Sequence, residues 1–136
     1  MSAGQKFTRF ALDVGRKVHD LDNDTIKVML TNVAPVVGNA VKADITEIAA
    51  GNGYVAGGFD AQATWSLVSG VATLVCVDVT ITASGGPIGE FRWVVMYNST
   101  PAAGPLIMFW DTGAPQTVTA GNAVKLDFAD HAVTLV

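Results

Sequence analysis

The feature that most constrains the fold is a stretch at residues 89–111, in which two apolar runs flank a short polar turn. In the first run, residues 91–97, alternate side chains share a face, which groups Phe91, Trp93, Val95 and Tyr97 opposite Arg92, Val94 and Met96. The second run, residues 106–111, is apolar on both faces, with Leu106, Met108 and Trp110 on one and Ile107 and Phe109 on the other. Period-two patterns rich in aromatic and β-branched residues predict strands, here joined as a hairpin. A strand that is apolar on both faces needs cover on both sides, so we expect this hairpin at the centre of the core.

Similar alternation recurs along the rest of the chain and predicts a mainly β domain. Further strands are expected at residues 26–31, 61–68, 71–82, 116–119, 123–128 and 132–135, with turns at 112–116 and 129–131 among others. A chain of 136 residues is long enough for one domain with its own core. We therefore predict a single β domain over residues 1–136, in which residues 23–136 form a β-sandwich or jelly roll of about eight strands.

Residues 1–22 are predicted to form an N-terminal helical segment. Apolar residues recur at helical spacing over residues 6–21; they are Phe7, Phe10, Ala11, Val14, Val18 and Leu21. This end of the chain is basic, whereas the whole chain carries a net charge of −4. A basic end on an acidic chain suggests contact with an acidic surface, so we predict that Phe7, Phe10 and Val14 contribute to a protein interface. The alternatives are a solvated helix or a helix that caps one end of its own domain.

The composition is poor in charge for a small domain. Only 15% of the residues are charged and 50% are apolar, whereas about a quarter of residues are charged in an average domain. This shortage suggests that part of the surface faces protein rather than water. The alternative is a surface of Ala, Gly, Ser and Thr that is uncharged but well solvated.

Three broad classes of function are disfavoured. The cations are too few, and too mixed with apolar residues, to predict nucleic-acid binding. We expect no membrane span, because no apolar stretch reaches about 18 residues. We expect no signal peptide, because residues 1–15 are amphipathic and lack a basic head followed by an apolar run.

Few residues suggest a metal or a reactive group. Neither His19 nor His131 has a second His or Cys at metal-ligand spacing. Cys76 is the sole cysteine and cannot form an internal disulfide. Three aspartates alternate in residues 20–24, but the sixth and twelfth positions of that stretch lack the Gly and Glu of a calcium-binding EF-hand.

Two further groups of residues could belong to a carbohydrate site, and each also has a purely structural interpretation. Glu90 and Asp111 lie near the ends of the central hairpin and could pair, as the carboxylates of glycoside hydrolases do; strand-end acids also commonly cap turns. Trp65, Trp93 and Trp110 could stack on sugars, although core packing is expected for at least two of them. We predict no catalytic residue, no cofactor site and no metal site, and hence a protein that is not an enzyme.

Four blocks of the sequence, taken together, resemble a family of small structural proteins of tailed bacteriophages. The blocks are residues 27–35, 42–58, 85–98 and 120–128, and the resemblance extends from the helix at Lys6 to the last strand. They carry packing and turn residues rather than catalytic groups. The resemblance implies a role in the virion, where capsid decoration (cement), head-fibre, and tail or neck proteins are all candidates.

Among these roles we expect capsid decoration, because the chain has no elongated repeat or coiled-coil heptads of the kind that fibres use. A compact, charge-poor β domain suits the gaps between capsid subunits, where ~800 Å² per partner is enough for specific attachment. The resemblance then implies the major capsid protein as partner, self-association as a homodimer or homotrimer, and no nucleic acid or membrane. It also implies synthesis in the bacterial host cytoplasm and a final place on the capsid surface. A tail, neck or head-fibre component is the alternative, and a carbohydrate-binding module is a remote one.

Overall fold

The computed structural model describes residues 1, 3–128 and 133–135, which form ten strands, one α-helix and one short 3₁₀ helix, Lys42–Asp44. The α-helix, α1, spans Arg9–Gly15. The strands are β1 Gln5–Lys6, β2 Ile26–Thr31, β3 Phe59–Asp60, β4 Thr64–Val68, β5 Val71–Val75, β6 Val79–Thr82, β7 Ile88–Asn98, β8 Leu106–Val118, β9 Ala123–Leu126 and β10 Val133–Leu135. The predicted turn at 129–131 and the residue His131 lie outside the described residues.

The strands form three antiparallel sheets that pack as a sandwich. The largest has the order β1-β8-β7-β2-β3, and two smaller sheets have the orders β10-β5-β4 and β6-β9. One hydrophobic cluster joins the large sheet to the small ones through residues such as Leu74, Ile81 and Leu126. The predicted mainly β fold with a short N-terminal helix is confirmed, as a β-sandwich.

The β7–β8 hairpin lies inside the large sheet and is buried on both faces. On the inner face, Val94, Met96 and Trp110 pack in the cluster shared with the small sheets. On the outer face, Val95 and five other buried residues form a second cluster; these are Phe7, Met29, Tyr97, Leu106 and Phe109. The expected position of this hairpin at the centre of the core is confirmed.

Residues 32–58, the covering segment, shield the outer face. Val37 and Ile45 of this segment pack on the outer cluster. Backbone hydrogen bonds fasten the segment to the sheet, from Leu106 N to Ala40 O at 3.0 Å and from Ile48 N to Leu30 O at 3.0 Å. The segment therefore supplies the cover that the two-sided apolar pattern demands, with little regular secondary structure of its own.

The predicted assignment of side chains to faces is wrong at the ends of the hairpin. Phe91 packs with Val94 on the inner face, not with Trp93, because the register shifts between Phe91 and Trp93. Leu106 lies on the outer face, apart from Met108 and Trp110, because the register also shifts near Tyr97. A β-bulge inserts one extra residue and so reverses the alternation beyond it.

Strand boundaries also differ from the prediction in two places. The predicted strand at 71–82 is two strands, β5 and β6, which belong to different small sheets. The predicted turn at 112–116 is wrong, because β8 continues through it to Val118. Gly113 lies within β8 with a φ of 97°, a conformation that glycine adopts at little cost.

The predicted helix over residues 6–21 is wrong in length. It is limited to α1, and residues Gln5–Lys6 instead pair with β8 as an edge strand. The helix ends because Lys17 adopts a left-handed φ of 61°, so that Lys17 N and Val18 N turn back to the carbonyl groups of Val14 and Asp13. This is the Schellman arrangement, which usually has glycine where Lys17 stands.

Burial of the hairpin on both faces predicts that truncating either face is costly. Met96→Ala on the inner face and Leu106→Ala on the outer face, both 0% exposed, should each lower the free energy of unfolding by about 2–5 kcal/mol. Leu12→Ala, at a side chain that is 46% exposed, is the matched control and should change it little. Urea denaturation measures all three. An outer-face loss no larger than that of Leu12→Ala would contradict cover by residues 32–58.

Candidate interaction surface

The β4–β5 hairpin exposes apolar side chains in an uncharged part of the chain. Leu67, Val68 and Val75 are 74%, 49% and 42% exposed, and Val77, just after β5, is 54% exposed. We call these four residues the hairpin surface; Leu67 lies on the face of the hairpin that carries Trp65, and Val68 and Val75 lie on the opposite face. No Asp, Glu, Lys or Arg occurs between Asp60 and Asp78. Single exposed apolar residues are ordinary, but a group of them without neighbouring charge is typical of a surface that contacts protein.

The turn between these strands fixes which backbone groups of β4 face outward. Ser69 and Gly70 both have positive φ, 49° and 80°, as the two-residue type I′ turn requires. Val68 and Val71 close the hairpin as directly opposed residues. Because hydrogen-bonded and non-hydrogen-bonded pairs alternate along an antiparallel ladder, the N–H and C=O groups of Trp65 and Leu67 point away from β5.

Strand β4 is the last strand of its sheet within the described part of the chain. Its one ladder partner there is β5, and no other backbone hydrogen bond to residues 64–68 occurs among the described residues. At the opposite edge of the same sheet, the Lys6 ammonium group donates to the carbonyl oxygen of Thr134 at 2.7 Å. Charged lysine side chains discourage edge pairing, so the β10 edge is protected by Lys6, whereas β4 has no charged residue of its own.

A cleft of about 500 Å³ opens beneath the covering segment. It is lined by Met29, Val41, Lys42, Ala43, Ile45, Glu47, Ala102 and Ala103. The Glu47 carboxylate accepts hydrogen bonds from the Tyr54 hydroxyl at 2.6 Å and from Gly57 N at 2.8 Å. Tyr54 in turn accepts from Leu30 N at 3.1 Å, and burial, reinforced by Glu47, raises the pKa of Tyr54 well above its usual value. These contacts tie the covering segment to β2, so they stabilise the fold.

The carboxylate pair suggested by the sequence is engaged elsewhere. Asp111 forms a two-point ion pair with Arg92, at 2.9 and 3.1 Å, which lowers the pKa of Asp111 below its usual range. Glu90 accepts a hydrogen bond from Asn32 at 3.1 Å. A general acid needs a raised pKa near the working pH, and the Arg92 guanidinium shifts Asp111 in the other direction.

The aspartate-rich turn at residues 20–24 is held by hydrogen bonds within the chain. Asp24 Oδ2 accepts from Asp20 N at 2.9 Å and from the Asn98 amide at 2.6 Å. Asp20 Oδ2 accepts from Asn23 at 3.0 Å. Across the residues with described positions, no group of three or more His, Cys, Asp or Glu side chains is arranged to hold a metal ion. These carboxylates cap a turn, which is a common use of aspartate.

His19 is a buried imidazole beside this turn. Its Nδ1 atom lies 3.2 Å from the Asn98 amide nitrogen, and its ring packs on Phe10 at 5.5 Å between centroids. Burial lowers the pKa of His19 despite the carboxylates of Asp13 and Asp24. An imidazole that is kept neutral accepts the Asn98 N–H at Nδ1, which assigns its proton to Nε2.

The lowered pKa of His19 predicts loss of stability in mild acid. The unfolded chain takes up the proton near the ordinary value of 6.5, above the pKa in the folded chain, so the contribution is present above that pH and is lost as the pH falls below it. His19→Gln should therefore weaken the fall in urea midpoint between pH 7.5 and pH 5.5, measured by urea titration. Lys17→Gln, at an exposed position nearby, is the control. An unchanged pH dependence in His19→Gln would contradict a neutral His19.

Phe7, Phe10 and Val14, predicted to lie at an interface, pack within their own domain. Phe7 is 2% exposed in the outer cluster and contacts Phe109, with ring centroids 5.0 Å apart. Phe10 is 1% exposed in the inner cluster, and Val14 packs partly against it. In this fold the two phenylalanines offer almost no surface to another chain. A role in an intermolecular contact stays a prediction, which here could involve only the exposed part of Val14.

The three tryptophans and the cysteine differ in how deeply they are buried. Trp110 is fully buried and packs edge-on against Phe128 at 5.3 Å, whereas Trp65 and Trp93 are partly buried. Arg92 lies over the Trp93 ring at 5.0 Å. Cys76 is buried, which raises the pKa of its thiol to about 12. The three tryptophans therefore do not form one exposed stacking platform, and Cys76 acts as a small core residue.

Comparison with known proteins identifies no relative of this chain. No protein-family model, no curated protein and no solved structure matches the chain. The resemblance to phage structural proteins stays a prediction. Within the described residues, none of the helices has the length and apolar character needed to cross a membrane.

Proposed function

We propose that this chain is a structural protein of a tailed-bacteriophage virion, and that it decorates the outside of the capsid. The observation that carries the proposal is the hairpin surface, where Leu67, Val68, Val75 and Val77 are exposed in a segment without charge. Such a surface gains free energy when another protein covers it, at about 25 cal/mol per Å² of apolar area. The family resemblance in the sequence supplies the virion context.

The architecture supports binding by shape. The β7–β8 hairpin is enclosed on both faces, so the domain holds its surface in a fixed form and loses little conformational entropy on binding. Interfaces of standard size need ~800 Å² from each partner. Many identical copies on one shell would add avidity to modest single contacts. In this proposal the chain stabilises joints between capsid subunits and performs no chemical reaction.

Copy number in the purified virion tests the proposal. Decoration of the shell predicts on the order of hundreds of copies, measured by quantitative mass spectrometry against the major capsid protein, because a decoration protein follows the repeated capsid lattice. A single ring of about six to twelve copies, as symmetric neck and tail assemblies have, would contradict decoration and favour a tail, neck or head-fibre role.

A binding experiment adds the physical test. Purified protein should sediment with empty heads that lack it, and the decorated heads should disassemble at a higher temperature than bare heads. Protein that stays in the supernatant at all concentrations would contradict the proposal.

A further inference from the structure

We propose that β4 pairs with β4 of a second copy of this chain, antiparallel and across a two-fold axis at Ser66. The pairing joins the two β10-β5-β4 sheets into one continuous sheet. The inference deepens the proposed function, since it names one partner of the hairpin surface and its symmetry. Its geometric basis is independent of the capsid.

The backbone register selects the position of the axis. The outward N–H and C=O groups of β4 belong to Trp65 and Leu67, because Val68 and Val71 close the hairpin. With the axis at Ser66, Trp65 of one copy opposes Leu67 of the other, so every one of these groups gains a partner. An axis at Trp65 would oppose Leu67 to Ala63, which precedes the strand, and an axis at Leu67 would oppose Trp65 to Ser69 in the turn. Only the axis at Ser66 uses both outward residues within β4.

The same register covers Leu67, the most exposed large apolar side chain among the described residues. Trp65 packs against the inner cluster, and Leu67 lies on the same side of β4 because strand residues two apart share a face. Leu67 is 74% exposed in the single chain. In the pair, Leu67 of each copy stands directly opposite Trp65 of the other, and aromatic–aliphatic pairs across strands are stabilising.

Charge favours this edge for contact between identical chains. Each copy carries a net charge of −4, so two copies repel one another at most orientations. Residues 61–77 carry no charge, and approach through β4 therefore brings no like charges together in this segment. Edge strands are normally protected by lysine, proline or a bulge; β4 has none of these along its ladder with β5.

Disulfide trapping tests the register directly. In a Cys76→Ala background, Ser66→Cys places the two thiols at a non-hydrogen-bonded pair, with Cα atoms about 4.5 Å apart, a separation that a disulfide can span. Oxidised glutathione should then convert most of the protein to a covalent dimer. Thr64→Cys, on the same face of the same strand, is the control, because its two copies would lie about 14 Å apart. Equal cross-linking of both variants, or none in Ser66→Cys, would overturn the proposal.

A non-covalent measurement removes any dependence on cysteine chemistry. Sedimentation velocity of the natural chain should show a concentration-dependent monomer–dimer equilibrium, and Leu67→Lys should weaken dimerisation at least tenfold. Val55→Lys, at an unrelated position that is 65% exposed, should leave it unchanged. Equal effects of the two variants would overturn the proposal.

The outcomes separate this inference from the capsid role. A natural chain that stays monomeric at all concentrations but binds empty heads would overturn the β4 pairing and leave the proposed function standing. A chain that forms the Ser66→Cys dimer but ignores heads would support the pairing and contradict the proposed function.

Discussion

Two-sided burial of the β7–β8 hairpin is the constraint on which the rest of the structure depends. The strands are apolar on both faces, and each face has its own cluster, around Met96 inside and Leu106 outside. Two different parts of the chain provide the cover. The small sheets close the inner face, and residues 32–58 close the outer face with turns, a single 3₁₀ helix and backbone hydrogen bonds to β2 and β8. Removing either cover would leave a large apolar surface in water.

This arrangement also explains why an edge remains available. The small sheets supply inward-facing residues such as Leu74 and Ile81 to the cluster on the inner face. In β4, Trp65 packs against that cluster, whereas Leu67, two residues further along on the same face, is 74% exposed. The alternating apolar pattern of β4 thus continues beyond the part of the strand that packs against the core. The surface proposed to bind another protein is therefore an extension of the folding pattern.

The sequence predicts the fold class and the central position of the hairpin, because strong alternation and aromatic content are local signals. It does not predict the faces of Phe91 and Leu106, since a bulge depends on how two strands meet and not on either strand alone. It also misplaces the end of α1, where Lys17 takes a conformation that glycine usually signals. Phe7 and Phe10 form a helical stripe in the sequence, but whether such a stripe faces its own core or a partner is a tertiary property. The sequence does not predict the hairpin surface for the same reason. Leu67 and Leu74 occupy similar positions in the alternating pattern, but in the fold Leu67 is 74% exposed and Leu74 is 0% exposed. The absence of charged residues from 61 to 77 is the feature of the sequence that points to this surface.

The central claim is that the β7–β8 hairpin is buried on both faces while the edge of β4 is free to pair with a second copy. Amide hydrogen exchange at two protein concentrations tests this claim most directly. The amides of Val94, Val95 and Met96 should exchange most slowly at both concentrations, because only global unfolding opens a strand that is buried on both faces. The outward amides of Trp65 and Leu67 should exchange rapidly in dilute protein and slow markedly when the protein is concentrated. Fast exchange in β7, or exchange at Trp65 and Leu67 that is equally fast at every concentration, would contradict the account.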